Sequence, residues 1–557
     1  MEQHSHEHHA QTGDGFATDT AGLPDAARPE TIDLADGNAV ELRIAPVAKR
    51  IGDATVRMLA YNGSVPGPTL RVREGSEIVV DVANEGDLEA TVHWHGLRLD
   101  NRYDGTHETQ APIPVGGSFS YRLEFPDPGV YWYHPHIRED YGQELGLYGN
   151  ILVVPADPFY WPPAHREVLL TLDDVLIENG RIAPFSRSET TYAAMGRFGN
   201  VFLVGGETDW SLQARRGEVI RFYLTSTANT RVFNIALPGA RLKLVGGDSG
   251  RNEREQLVDS VVLAPSERVV IDVLFEQPGH VALEHRTPER TYALGTIDVG
   301  TQPAEASPAE QFGTLRHNEE WIAARERLTP YLDASPHKTL ALVAEMDLGT
   351  SEGTVVYVCP MHADVVSENP DRCPKCGMKL VPADVVAQAS GPDAHAHHEA
   401  EQGEGHHHSH PGHEHETAAG GIEWEDDMVD VNRITTPANM RWNLIDRETG
   451  AVNHEIDWQF RVGDLVKLRL VNEMDSDHPM HHPFHIHGAG RFVVLARDGA
   501  PEENLVWKDT VLVRTGETVD ILLDVTNPGR WMAHCHIPEH MHSGMMFTFT
   551  VTEGAAS

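Results

Sequence analysis

The chain has 557 residues, enough for three or four domains of roughly 150 residues each. Its 84 acidic and 44 basic residues give a formal charge of −40, which excludes nucleic acid and an anionic membrane surface as partners, since both demand net positive charge. Four cysteines are too few for a disulfide-dense secreted scaffold, 34 histidines are an unusual number, and there is no apolar run of the roughly 18 residues that a membrane-inserted helix needs.

In chain order, the N-terminus from Met1 to His9 is His-rich and has no apolar stretch, so residues 1–30 are expected to be a disordered arm, with no signal peptide visible. From residue 31 the chain repeats itself. Gly75-Ser-Glu-Ile-Val-Val-Asp-Val, Gly217-Glu-Val-Ile-Arg-Phe-Tyr-Leu and Gly463-Asp-Leu-Val-Lys-Leu-Arg-Leu are each a turn glycine followed by an alternating apolar strand. A second motif runs from Gly116, Ser266 and Gly516 to a Pro-Gly ending at Gly129, Gly279 and Gly529. Short alternating strands punctuated by Gly and Pro predict β-sandwiches. They fall at residues 31–157, 158–300, and a third split between 338–350 and 421–557. Between them, residues 301–337 read as a polar linker with a short helix over 318–332, and 351–385 hold three of the four cysteines. Residues 386–420, rich in His, Gly and acids, cannot bury a core and are expected to be disordered.

The repeats show where the chemistry sits. Four His-x-His pairs, His93/His95, His134/His136, His485/His487 and His534/His536, come from the outer copies. The middle copy has Glu284 and Arg286 at matching positions and reads as a spacer. Residues i and i+2 of a strand share a face, so each pair presents two imidazoles side by side. Eight nitrogen ligands are too many for one metal and suit a cluster of about three, and imidazole-rich sites with open positions suit copper. Parity puts Cys535 on the face opposite His534 and His536. His482, an odd step before His485, and His540 can join it there. With Met545 as a weak ligand they form the His₂Cys-plus-Met set of a blue-copper site.

His93-Trp-His95-Gly96, Trp132-Tyr-His134-Pro-His136, His482-Pro-Phe-His485-Ile-His487-Gly488 and His534-Cys535-His536-Ile-Pro-Glu-His540 with Met545 resemble, in order, the four copper motifs of three-domain multicopper oxidases. That family includes laccases, bilirubin oxidases and bacterial copper-efflux oxidases. The resemblance spans about residues 35–553 apart from the insert. It implies an all-β chain of three cupredoxin-like Greek-key β-sandwich domains and four copper ions. A type 1 copper falls on His482, Cys535 and His540 with Met545 axial, and a type 2 copper on His93 and His485. A type 3 pair shares His95, His134, His136, His487, His534 and His536. Electrons taken singly from a reductant at the type 1 site would reduce O₂ to water at the other three. The resemblance also implies export, and a monomer is expected. Asp104, in Tyr103-Asp104-Gly105, resembles the family's acid near the type 2 copper and joins Cys535 as a candidate catalytic residue. Its plain alternative is a turn aspartate. Several bacterial relatives carry Glu directly after the last type 1 histidine. This chain has Met541 there, and Glu539 or Glu144 are the candidates to replace that acid.

Cys359-Pro-Met361-His362 and Cys373-Pro-Lys-Cys376-Gly-Met378 form a compact soft-ligand motif. The cysteines and His362 suit zinc, whereas Met361 and Met378 favour Cu(I). The segment resembles the small heavy-metal-binding domains attached to copper-transport proteins, so an additional Cu(I) or zinc ion is expected here, with copper favoured. The nine histidines between His395 and His415 then read as copper scavengers. The expected function is oxidation of Cu(I), with phenols and aromatic amines as further reductants, in copper tolerance. The alternatives are a laccase with an organic substrate and a copper-sequestering protein with incidental oxidase activity.

Overall fold

The three repeated strands take the same seat in three successive units of the computed structural model, which describes residues 15–349, 356–390 and 420–554. Glu77–Asn84, Glu218–Ser226 and Leu465–Asn472 each run parallel to an earlier strand, respectively Ala39–Ile51, Arg166–Val175 and Lys338–Met346. Each also pairs antiparallel with a later one, Ser118–Glu124, Arg268–Phe275 or Thr518–Val525. The turn glycines Gly75, Gly217 and Gly463 hold φ at +79°, +77° and +95°, a left-handed conformation that glycine adopts without strain.

The strands after the Pro-Gly motifs, Gly129–His134, Gly279–Arg286 and Gly529–Cys535, lie in a second sheet of each unit. The result is three β-sandwiches, each with its own apolar core, in a chain that is 46% strand and 9% helix. Burial runs to both faces of the key strands: every residue of Gly129–His134 is buried.

The linker holds the helix Glu320–Leu328 and a shorter one at Ala306–Gln311. Trp321 of the former is buried and stacks on Trp507 at 5.5 Å, which ties the linker to the third sandwich. No helix among the described residues is long and apolar enough to cross a membrane.

Two boundaries differ from the sequence reading. Residues 15–30, expected to belong to a disordered arm, lie along the first sandwich. Phe16 stacks on Tyr141 at 3.8 Å, and the Ala26 and Ala27 amides donate to Ala48 and Gly63 at 2.8 Å. The apolar contact of Phe16 supplies what the neighbouring polar sequence lacks. The insert also extends past residue 385, because Val386 and Ala389 of the helix Ala383–Ala389 pack against the core of the third sandwich. The N-terminal histidines and the tract from 391 to 419 lie outside the described residues.

Gly105 closes the turn that presents Asp104. Its φ is +79°, and a Cβ there would fall 1.8 Å from the Val92 carbonyl oxygen. Gly105→Ala is therefore expected to destabilise the protein by about 2–4 kcal/mol. A urea midpoint unchanged from wild type would contradict this close approach.

Candidate metal centre

Two antiparallel strand pairs build the centre. In the first sandwich, His93–His95 pairs with Gly129–His134 so that His93 faces His134. In the third, His482–Ile486 pairs with Gly529–Cys535 so that His485 faces His534. Cross-strand neighbours are close enough to bring four imidazoles together on each pair. The two pairs meet ring to ring: His95 stacks on His485 at 3.8 Å, and His93 lies 4.1 Å from His487. All eight rings are buried.

Nitrogens of His136, His487 and His534 lie within 4.8 Å of one another, as do those of His93, His485 and His487. The Nε2 atoms of His487 and His534 are 3.0 Å apart. That matches two imidazoles on one metal ion at bond lengths of about 2.0–2.1 Å.

Seven of the eight rings are held from behind, and both nitrogens of the eighth, His536, are buried without a partner. His93 Nδ1 donates to the Asp104 carbonyl at 2.7 Å, and His487 Nδ1 to the Asp104 carboxylate at 2.9 Å. His95 Nε2 donates to the Asp509 carboxylate at 2.9 Å and His485 Nδ1 to the Asp509 carbonyl at 2.8 Å. His134 and His534 use the Pro135 and Cys535 carbonyls, both at 2.9 Å, and Glu139 Oε1 lies 2.8 Å from His136 Nδ1.

The opposite nitrogens, His93 Nε2, His95 Nδ1, His134 Nε2, His136 Nε2 and His485 Nε2, are buried without a partner. An unsatisfied buried acceptor costs free energy, and a ring fixed from behind with its lone pair free is how metal-binding histidines are arranged. Seven imidazoles held in this way, with His536 beside them, fit copper. Burial, reinforced by the neighbouring rings, holds His95, His134, His136, His485, His487 and His536 well below the ordinary histidine range and His534 down to about 3. The rings are thus neutral, the form that binds metal.

On the other face of the same strand, Cys535 Sγ lies 3.6 Å from His482 Nδ1 and 3.8 Å from His540 Nδ1, and the two nitrogens are 3.3 Å apart. Met545 is fully buried nearby, its carbonyl accepting the Cys535 amide at 3.1 Å. This small triangle of one thiol and two imidazoles fits a second copper. Trp442 packs on both imidazoles, 4.8 Å from His482 and 4.1 Å from His540.

The middle sandwich is not a spacer. Its Arg268, fully buried, grips both oxygens of Asp509 at 2.7 and 2.5 Å and donates to the Val130 carbonyl at 3.0 Å. It thereby fixes the residue that holds His95 and His485. The segment Ala193–Met195, also from the middle unit, covers the Cys535 site: His540 Nε2 donates to the Ala194 carbonyl at 3.2 Å, and Trp442 Nε1 to that of Ala193 at 2.7 Å. Sequence repeats hid both contacts, because they arise only where units pack together.

Of the acids, Asp104 stands between His93 and His487. Glu139, which sequence reasoning missed, is the one beside His136. It follows that histidine by three residues, so the spacing was there to be read. Glu539 is pushed well above the usual carboxylate range by burial and Asp140, and burial lifts Glu144 to about 7. Neither has a hydrogen bond or ion pair to a cluster histidine among the described residues.

In the insert, Cys359, His362, Cys373 and Cys376 converge within 4.8 Å. Met378 is buried in the core of the third sandwich, and Met361 packs against both that core and the insert's own, beside Cys359, Cys373 and Cys376. Both expected soft ligands thus take part in packing.

Fold and site together define an oxidoreductase that works with copper and oxygen. Residues 45–158 and 425–555 match families described as multicopper oxidase, and 356–383 match a heavy metal binding domain. The chain is 26% identical to the multicopper oxidase MmcO of Mycobacterium tuberculosis, over 96% of this chain and 91% of that one. It is 23% identical to the copper resistance protein A homolog of Pseudomonas syringae pv. tomato, over 95% of each. A solved structure described as a multicopper oxidase from Campylobacter jejuni, a metallo-oxidase, superposes with a TM-score of 0.62 at 20% identity, over 96% of this chain and 98% of that one. The chain belongs to the multicopper oxidase family, with three cupredoxin-like domains and an inserted heavy-metal-binding domain.

Two outcomes are expected. The rings of His95, His134, His136, His485, His487, His534 and His536 have folded-state pKa values below the unfolded value of about 6.5, so below that pH the unfolded chain takes up protons that the folded one cannot. Copper-free protein should keep this stability above about pH 6.5 and lose it progressively as pH falls toward 3, each ring contributing up to about 1.4 kcal/mol per pH unit. Buried carboxyls raised above their ordinary range, among them Glu139, Glu144, Asp173, Glu423, Asp426 and Glu539, act in the opposite direction and offset part of this change. A urea midpoint that is equal at pH 7 and pH 5 would refute neutral burial. Arg268→Met, which leaves Asp509 unpaired in the interior, should cost about 3–5 kcal/mol in the same assay. A loss below about 1 kcal/mol would mean that Asp509 does not depend on it.

Proposed function

We propose that this multicopper oxidase oxidises Cu(I), in copper tolerance. His482, Cys535 and His540, with Met545, would hold the type 1 copper. His93 and His485 would hold the type 2 copper, and His95, His134, His136, His487, His534 and His536 the type 3 pair. Copper bound at these places supplies one-electron acceptance at the first and four-electron reduction of O₂ to water at the other three. The protein's own part is to hold ligands and protons. Cys535, between His534 and His536, makes the covalent bridge from one site to the other. Asp104 and Glu139, in contact with His487 and His136, are the carboxyl groups placed to hold a proton beside the cluster. Export, as in the resemblance, would put this activity where copper enters.

One observation carries the choice of substrate. His482 is 1% and His540 0% exposed, and the His540 nitrogen that would face a substrate is taken by the Ala194 carbonyl. A phenol ring therefore has no imidazole edge to lie against. What stands next to these ligands is soft: Met195 Sδ and His478 Nε2 are 3.1 Å apart, and His478 Nδ1 has no partner. A thioether beside a neutral imidazole suits Cu(I). The copper resistance relative supports the same reading.

The test is oxygen uptake with Cu(I) and with a substituted phenol. The expected result is catalytic turnover with one O₂ consumed per four Cu(I), a kcat/KM for Cu(I) well above that for the phenol, and loss of the blue colour and of both activities in Cys535→Ser. Phenol turnover equal to or above that with Cu(I) would favour a laccase, and uptake that stops after one equivalent would favour a copper-sequestering protein.

A further inference from the structure

The insert has two working sides. One gathers metal ligands. Cys359 Sγ lies 3.6 Å from His362 Nδ1 and 3.7 Å from Cys376 Sγ, and Cys373 Sγ lies 3.6 Å from His362 Nδ1. With bonds of about 2.3 Å to sulfur and 2.0–2.1 Å to nitrogen, a tetrahedral zinc site requires S···S edges of about 3.8 Å and S···N edges of about 3.5–3.6 Å. The observed edges are those of that tetrahedron. Three cysteines and one histidine fill all four positions, which is the mark of a structural zinc site, whereas a site that passes metal onward keeps a position open. Cys359 and Cys373 are each 2% exposed. Met378, a thioether that would have argued for Cu(I), is buried in the core of the third sandwich.

The other side grips the third sandwich. The loop between the last two cysteines is closed by the Gly377 amide on the Cys373 carbonyl at 2.9 Å and the Cys373 amide on the Met378 carbonyl at 2.8 Å. The flanking residues reach across. The Lys379 amide donates to the Asp477 carbonyl at 2.8 Å, and its ammonium to the Asp477 carboxylate at 3.0 Å. Arg372 donates to the Asp475 carboxylate at 3.0 Å and also to the Ser476 carbonyl. Residues 475–477 open the turn that leads, five residues on, to His482. Met378 enters the same core as Met480, Phe484 and Cys535.

We propose that the insert binds one zinc ion at Cys359, His362, Cys373 and Cys376 as a closed structural site, and that this zinc clamps the 475–481 turn and so positions His482, rather than delivering Cu(I). The clamp rests on the reading of His482, Cys535 and His540 as the type 1 site. His482 is held from one direction by its strand and from the other by this turn, so loosening the turn alters the Cys535–His482 geometry on which the blue absorption depends.

The test uses the full-length, copper-loaded protein. Metal analysis should give one zinc beside four coppers. Cys376→Ser should lose the zinc, keep the copper, and shift the blue absorption band and the type 1 resonance signal. Asp477→Ala, which removes the carboxylate contacts of the grip with Lys379 and Arg372 but spares the ligands, should keep the zinc and shift the band in the same direction, so the result does not hang on one variant folding. Two results would overturn the proposal: Cu(I) displacing zinc from the insert at equal concentration, or zinc-free Cys376→Ser with an unchanged blue band. A wild-type protein that holds zinc but is not blue would overturn the type 1 reading, and the clamp with it, while the zinc count would still stand.

Discussion

The structure depends on burying a set of imidazoles that cannot satisfy one another. A neutral ring has one donor and one acceptor. In this protein the donors are spent on Asp104, Asp509 and backbone carbonyls, which leaves the acceptors pointing at a common centre with nothing to accept. Packing around such a centre would be unfavourable in any protein that did not place cations there. Everything else follows from arranging those donors. The strands supply spacing, the turns at Gly105 and Pro135 supply carbonyls, and the interfaces between sandwiches supply carboxylates.

That arrangement explains why a middle unit without His-x-His pairs persists at full size. Its strand Arg268–Phe275 begins with the guanidinium that grips Asp509, and its segment around Ala194 covers the thiol-containing site. A buried ion pair of this kind adds little stability over an apolar contact, but it fixes geometry. The outer units hold the ligands, and the middle one sets how far apart they stand and which face a reductant meets.

The ligands themselves were legible in the chain because a strand has period two. His534 and His536 had to share a face and Cys535 had to leave it, and three in-register repeats told which strands would lie together. The supports were not legible. Arg268 and Asp509 are 241 positions apart and meet only because two sandwiches pack edge to edge. Glu139 lies within local reach, three residues beyond His136, but the departure at Met541 points to Glu539 and Glu144 instead. Met361 and Met378 show the limit of reading chemistry from residue type. A thioether is both a soft ligand and the most adaptable filler of a core, and only the side of the loop facing the sandwich decides which role it takes.

The strand pairs that meet at the centre come from distant parts of the chain, His93 to His136 in the first sandwich and His482 to Met545 in the third. Half a centre cannot be prepared in advance. While the chain is being made, the first sandwich can close on its own, since domains fold in turn as they emerge, but it does so around imidazoles whose partners do not yet exist. Acquisition of copper is therefore bound to a late event, the docking of the last sandwich onto the first. A ribosome that stops a few dozen residues short would release a product that is largely folded yet has no oxidase centre at all.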